Sequence, residues 1–287
     1  MNRKTHRGIG VNLLSIFLTA ASPVIGKLAL AKASPDVVAL ISNAVITLLA
    51  WLVMVKKERG FKVEIGKLTF GIGLLNALGM ICLFYSLEMI GPVMVGFVGR
   101  FIIVFGILFS IFMFKEKCNI VEAFFIVLVL VGGLVFTLPE TIGGSLLGVG
   151  LALGYAFSFA FSNALMKIAA KNMSAAKILF NYSLVSTLCI GMYAASKDHI
   201  QSLEMSKSLV PACLSGMTTF LGMLLYIDGS RLVSYLTLNV MRSLTPFVIL
   251  LYSSWFFAVN LAQGQLVGGI LMTVALMILA FIRSRAA

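Results

Sequence analysis

Long apolar runs occupy almost the whole chain and are separated by short polar stretches. Each run covers about 20 residues, which is enough for a helix to cross a hydrocarbon core of roughly 30 Å. The runs lie at about residues 8–31, 36–55, 67–89, 92–114, 119–138, 146–168, 175–195, 209–229, 233–257 and 263–282. This pattern predicts an all-α membrane protein with ten transmembrane helices.

Composition and charge agree with this prediction. Of the 287 residues, 60% are hydrophobic and 11% are charged, and the formal net charge is +12. With the N-terminus inside, most basic residues fall on the cytoplasmic side, and the opposite face keeps only Lys32, Lys197 and Lys207 clear of the membrane. The positive-inside rule therefore predicts that both termini are cytoplasmic. It explains the basic charge without a nucleic-acid partner, and we expect the lipid bilayer to be the partner instead.

The second half of the chain repeats the first at a shift of about 140 residues. The sequence GIG at residues 8–10 matches GVG at 148–150, Lys27 matches Lys167, and LGM at 78–80 matches LGM at 221–223. We predict a first five-helix repeat in residues 1–138 and a second in residues 139–287. Because five is an odd number, the second repeat enters the membrane from the opposite side, and the two repeats are inverted.

Two arginines lie inside apolar runs at matching places in the two repeats, Arg100 in VGFVGRFIIVFG and Arg242 in TLNVMRSLTPFV. A guanidinium group in hydrocarbon is costly and is by default a functional candidate. Each lies roughly 12 to 14 Å into the membrane at about 1.5 Å per residue, with no acidic residue at matching depth. We therefore predict that an anion, held through a carboxylate or a phosphate, completes the site. The alternative is a structural role, in which each arginine binds carbonyls of a broken neighbouring helix.

Polar and aromatic side chains that we place around this anion are the further candidates for substrate binding. They are Asn43, Asn76, Tyr85, Tyr155, Asn181, Tyr182, Tyr226 and Asn239. Four charged residues near helix ends are possible secondary charge sites, with snorkelling or capping as the alternative, namely Lys27, Lys167, Glu88 and Asp228. The four cysteines show no CxxC spacing and no nearby histidine, so we expect no metal site and no cofactor.

Several local sequence elements carry a family resemblance. They are LLSIFLTAASPVIGKLAL at residues 13–30, LFYSLEM at 83–89, the run at 101–116 that ends in Lys115-Glu116, the run at 224–232 and the Thr245-Pro246 step. With its five-plus-five organisation, the chain resembles the drug/metabolite transporter superfamily, in particular the bacterial ten-helix type built from two EamA domains. The resemblance implies a transporter and not an enzyme, in the bacterial cytoplasmic (inner) membrane. It leaves the substrate open, because the chain has Asn43 where the family often has arginine.

These observations predict a secondary transporter that moves a small molecule by alternating access at a midplane site between the repeats. The expected substrate is an anionic or zwitterionic metabolite, such as an amino acid, an organic acid or a phosphorylated or nucleotide-like compound. The alternatives are an exporter of hydrophobic or cationic compounds and a lipid-phosphate transporter. The chain has no Walker A, HExxH or GxSxG motif, which argues against ATP-driven transport and against an enzyme. Glycine spacings permit helix contacts within one subunit or between two, so both a monomer and a homodimer stay open.

Overall fold

The computed structural model of the protein describes residues 3–58, 65–114, 119–143, 145–197, 205–232, 241–242, 244–257 and 262–286. Within these residues the chain forms ten helices and no strand, which confirms the predicted all-α fold. The helices are α1 (Arg3–Ala29), α2 (Pro35–Glu58), α3 (Lys67–Val98), α4 (Phe101–Phe114), α5 (Ile120–Gly143), α6 (Leu146–Ala169), α7 (Ala175–Ser196), α8 (Met205–Ser230), α9 (Thr245–Phe256) and α10 (Gln263–Ala286).

Six of the described helices are long and apolar enough to cross a membrane on their own. They are α1, α2, α3, α6, α7 and α8, and the apolar parts of α4, α5, α9 and α10 are shorter. The two shortest helices, α4 with 14 residues and α9 with 12, occupy the same place in the two halves of the chain. Both follow an interruption of the helical backbone, so the fourth and ninth apolar runs are not single continuous helices.

The packing of the helices follows a pseudo-twofold axis that exchanges the two halves. Helix α1 packs on α8, and its counterpart α6 packs on α3. Likewise α9 packs on α1 while α4 packs on α6, and α8 contacts α2 while α3 contacts α7. Helices α2 and α7 pack on each other, as do α5 and α10, so these two pairs lie on the axis. This arrangement agrees with the predicted pair of inverted five-helix repeats.

Equivalent residues meet on the axis between α2 and α7. The hydroxyl groups of Thr47 and Thr187, which are 140 positions apart, form a hydrogen bond of 2.9 Å. One turn earlier, the amide of Asn43 donates to the carbonyl oxygen of Ser183 at 3.0 Å and to the hydroxyl of Thr187 at 2.9 Å. Hydrogen bonds between membrane helices of this kind hold the two helices in one register, typically at about 0.6 to 2 kcal/mol each.

The third helix runs nine residues further than the sequence pattern predicts. We expected one helix over residues 67–89 and the next over 92–114, whereas α3 continues to Val98 through a kink. At the kink Gly91 has φ 72° and ψ 170°, a conformation that favours glycine, and Pro92 has no N–H group. Pro92 therefore offers no N–H group to the carbonyl of Glu88, and the carbonyl of Leu87 lies in the same turn, directly before the kink.

The ammonium group of Lys27 supplies hydrogen bonds to both of these carbonyls. Its Nζ donates to the carbonyl oxygens of Leu87 and Glu88, each at 2.9 Å. Backbone groups inside a membrane need partners, since water is scarce there. Lys27, which we considered as a secondary charge site or a snorkelling residue, thus lies at the kink and satisfies its backbone.

Helices α5 and α10 cross in close contact through glycine. The sequence VGG occurs at residues 131–133 of α5 and again at 267–269 of α10. A Cβ atom at Gly132 would lie 2.8 Å from the backbone nitrogen of Met272, and one at Gly268 would lie 2.5 Å from that of Phe136. Small residues allow membrane helices to approach to backbone contact, so both glycines are required by the crossing.

We predict that Lys27→Met lowers the free energy of unfolding by about 1–3 kcal/mol, because two carbonyls at the kink lose their donor. In a Gly91→Ala, Pro92→Ala background α3 is able to close its own hydrogen bonds, and the same substitution should cost much less. Thermal unfolding of the four proteins in detergent measures this difference. Lys171→Met, at an exposed position after α6, serves as the matched control. An equal loss in both backgrounds would contradict the capping role of Lys27.

We predict that Gly132→Ala destabilises the protein by about 1–3 kcal/mol, because the added methyl group forces α5 and α10 apart. Gly264→Ala in α10 is the matched control, since a Cβ there meets no atom within 4 Å. Thermal unfolding of both variants gives the comparison. Equal stability of the two variants would show that the crossing tolerates a side chain.

Candidate functional site

A cavity of about 120 Å³ lies between the two repeats, lined by helices α1–α4 and α6–α9 and by the residues that precede α4 and α9. Its polar lining consists of Thr19, Ser22, Asn76, Arg100, Tyr155, Ser162, Asn163, Tyr182, Thr219, Arg242 and Thr245. The rest of the wall is apolar and includes Met80, Phe84 and Phe159. Because equivalent positions such as Ser22 and Ser162, or Met80 and Met223, face it from both halves, the cavity lies on the pseudo-twofold axis.

Arg100 lies at the break between α3 and α4. The backbone tightens here, since Arg100 N donates to the carbonyl of Phe97 at 2.9 Å and Ile103 N to that of Arg100 at 2.9 Å. These bonds span three residues instead of four, a pattern typical of a 3₁₀ turn. Gly99 permits the turn to approach α6, because a Cβ there would lie 2.9 Å from Cε1 of Tyr155.

The guanidinium group of Arg100 is buried and bonds to backbone carbonyls. Only 6% of the residue is exposed. Its Nε donates to the carbonyl oxygen of Gly96 at 3.2 Å, and its Nη1 donates to the carbonyl oxygen of Arg242. The second bond joins the interrupted fourth run of one repeat to the interrupted ninth run of the other. This geometry is the structural role that the sequence left as an alternative.

Arg242 lies just before the corresponding break in the second repeat. Leu244 N donates to the carbonyl of Met241 at 3.1 Å, and α9 then begins at Thr245 and Pro246. The guanidinium carbon of Arg242 lies 3.9 Å from the centre of the Tyr226 ring, a cation–π contact. Its Nη2 is buried and has no hydrogen-bond partner among the described residues. Arg242 therefore keeps a donor that none of the described residues uses.

The electrostatic character of the cavity follows from these two arginines. They lie close enough to repel each other. Among the described lining residues there is no aspartate or glutamate. Glu88 and Asp228, the predicted acidic candidates, are both exposed. Glu88 lies within α3 just before the Gly91 kink, whereas Asp228 lies in the last turn of α8 with its carboxylate 4.0 Å from the Arg231 guanidinium. The cavity thus carries positive charge that the described residues do not balance.

The structure brings some of the predicted substrate contacts into the cavity. Tyr155 and Tyr182 line it, and so does Asn76, whose Oδ1 accepts a hydrogen bond of 3.0 Å from the Ser186 hydroxyl. Tyr226 does not line the cavity, but its ring makes the cation–π contact with the Arg242 guanidinium.

Other predicted contacts lie elsewhere. Asn43 and Asn181 are fully buried in α2 and α7, outside the cavity lining, and Tyr85 interacts with Tyr193 near the end of α7. Lys167 lies in the last turn of α6. Asn239 lies outside the described residues.

Sequence reasoning missed one polar turn of α6. The Ser162 hydroxyl lines the cavity, is 1% exposed and has no partner among the described residues, and Asn163 lines the cavity beside it. On α1, Ser22 also lines the cavity, but its hydroxyl is bonded to Ser215 at 2.9 Å and to Thr219 at 2.7 Å. A polar pair within the apolar sequence AFSFAFSNAL was the available signal for Ser162 and Asn163.

Comparison with known proteins places this geometry in a family. The model of the EamA-like transporter family matches residues 6–138 and again residues 146–281. One solved structure, titled only "Crystal structure of protein", is similar in fold, with a TM-score of 0.71 at 15% sequence identity over 98% of this chain and 99% of that chain. No curated protein matches the chain significantly. Since the family model covers both halves, the chain belongs to the EamA-like transporter family and is a multi-pass membrane transporter of the drug/metabolite type.

Proposed function

We propose that the protein is a secondary transporter of a small anionic or zwitterionic metabolite, such as an amino acid, an organic acid or a phosphorylated or nucleotide-like compound. The substrate binds in the cavity between the repeats. The observation that carries the proposal is Arg242, which presents a buried, unpartnered donor beside a second arginine in a cavity whose described lining contains no acid. We place the protein in the bacterial cytoplasmic membrane with both termini inside, on the asymmetry of its basic residues.

An anion relieves a large electrostatic cost in this cavity. Two guanidinium groups beside one cavity repel each other, and burial away from water strengthens this repulsion. A carboxylate or phosphate between the guanidinium groups replaces this repulsion by attraction and accepts the Arg242 donor. Planar guanidinium groups match these anions with paired hydrogen bonds.

The interrupted helices around the cavity support the proposal of alternating access. Arg100 and Arg242 each lie next to a break, and the segment at residues 92–98 has the Gly91 kink at one end and the Gly99 turn at the other. Discontinuous helices at a midplane site are the usual construction of transporters with inverted repeats. We infer that rocking of one repeat against the other opens the cavity to each side in turn.

A second candidate is an exporter of hydrophobic compounds, and the apolar part of the wall favours it. Met80, Met166 and Met223 line the cavity together with Phe84 and Phe159. Methionine side chains adapt to ligands of different shape and occur on promiscuous binding surfaces. This candidate leaves the two arginines without a role in binding.

We predict that anions stabilise the purified protein and that Arg242→Gln removes the effect. A ligand at ten times its dissociation constant should add about 1.4 kcal/mol to the free energy of unfolding. A thermal-shift screen of metabolites sorted by charge measures this. Arg231→Gln is the matched control, because Arg231 is exposed at the end of α8 and lies outside the cavity lining. Stabilisation by hydrophobic compounds alone, or anion effects unchanged in Arg242→Gln, would favour the exporter.

We predict different costs for the two arginines without ligand. Arg100→Met should lower the free energy of unfolding by about 1–3 kcal/mol, because the carbonyls of Gly96 and Arg242 lose their donor. Arg242→Met should cost less, since it removes the Tyr226 contact but also removes the repulsion between the arginines. Thermal unfolding in ligand-free buffer compares them. A larger loss in Arg242→Met would reverse the assignment of structural and binding roles.

A further inference from the structure

The charge of the cavity restricts its ligand more narrowly than the proposed function does. Two guanidinium groups face it, and its described lining contains no carboxylate. Lys27 is bonded to the carbonyls of Leu87 and Glu88 and is not among the lining residues. The charge to be balanced is therefore two positive charges. One carboxylate balances half of it, and a dianion balances all of it.

The hydrogen-bond donors of the cavity also suit a ligand with several acceptor atoms. Arg242 Nη2 and the Ser162 hydroxyl are both buried, and neither has a partner among the described residues. They belong to different elements of the second repeat. Arg242 lies in the residues before α9, and Ser162 lies in α6. A phosphate monoester or a dicarboxylate offers three or four oxygen atoms, which is enough acceptors for both donors.

Two candidate partners for an ammonium group at or beside the cavity are already engaged. The Oδ1 atom of Asn76 already accepts from Ser186, and the ring of Tyr226 is covered by Arg242. An ammonium group in the cavity is repelled by both guanidinium groups, which lowers the affinity for a zwitterion relative to a dianion. In a zwitterion, the positive potential of the two arginines thus attracts the carboxylate but repels the ammonium group.

We propose that the cavity selects a small dianion, with two carboxylates or one phosphate monoester group, over monoanions and zwitterions. This inference rests on the proposed function, because it assigns the substrate to the same cavity. A phosphate monoester occurs both in soluble metabolites and in the headgroup of phosphatidic acid, so the source of the dianion is a separate arm of the test.

The test uses the full-length protein in nanodiscs of phosphatidylcholine, which carries no net charge. Isothermal titration at pH 8 compares succinate with monomethyl succinate and glutamate, and methyl phosphate with dimethyl phosphate. Succinate and methyl phosphate should bind at least tenfold more tightly than their partners. Binding of glutamate or of the monoanions with equal affinity would overturn the dianion proposal and leave the proposed anion transporter standing. Absence of binding by every compound, including phosphatidic acid in the disc, would overturn both.

Two serines provide matched variants. Ser158 and Ser162 lie one turn apart on α6, each is 1% exposed, and neither hydroxyl has a partner among the described residues, but only Ser162 lines the cavity. Ser162→Ala should weaken binding of the dianions about fivefold, whereas Ser158→Ala should leave it unchanged. Equal effects of the two substitutions would contradict the assignment of Ser162 to the binding site.

The lipid arm replaces one tenth of the phosphatidylcholine by phosphatidic acid. We expect phosphatidic acid to stabilise the protein thermally and soluble methyl phosphate to reduce this stabilisation by competition. That result places both ligands in the cavity and supports the dianion site. Stabilisation by the lipid that Arg242→Gln leaves unchanged would place it on the protein surface and would remove the lipid as the source.

Discussion

Backbone groups that lose their helical partners inside the membrane must find others, and this requirement shapes the centre of the protein. The carbonyls of Leu87 and Glu88 lie directly before the kink at Gly91 and Pro92, and Lys27 of α1 donates hydrogen bonds to both. The turn at Gly99 brings Arg100 to the carbonyls of Gly96 and Arg242. Because water is scarce at this depth, each interruption needs a cation or another donor beside it. The cavity is lined by Arg100 from the turn at Gly99 and by Arg242 from the residues before α9.

The two arginines match in sequence position but differ in bonding. Arg100 is held by backbone carbonyls from both repeats, whereas Arg242 rests on the Tyr226 ring and keeps an unused donor. The pseudo-twofold arrangement of helices therefore does not extend to the side chains at its centre. Arg100 joins the repeats, and Arg242 is the arginine that we propose binds the ligand. Because the two repeats of one chain change in sequence independently, the arginine of one repeat can take a structural role while the arginine of the other takes a binding role.

The sequence predicts the ten helices and the pairing of the repeats because apolar length and repeated residues are visible without knowledge of contacts. It does not predict which face of a helix meets the cavity, since a polar side chain within an apolar helix faces either another helix or a cavity and the sequence does not distinguish the two. Asn43 therefore lies between helices, and Ser162 was overlooked. Gly91 and Pro92 resemble a loop in sequence, and only the distant Lys27 explains why the helix continues through them.

The hydrogen bond between Thr47 and Thr187 places a chemical condition on residues at the axis. A side chain at such a position meets its own counterpart, so it must be complementary to itself. A hydroxyl group both donates and accepts and meets this condition, whereas two lysines or two aspartates would repel. Asn43 also contacts its counterpart Ser183, and these two residues differ because the Asn43 amide donates to the backbone carbonyl of Ser183 and not to its side chain. Five-helix units with a hydroxyl at this point can associate with an identical unit or with a diverged one, so the same contact serves two separate polypeptides as well as one fused chain.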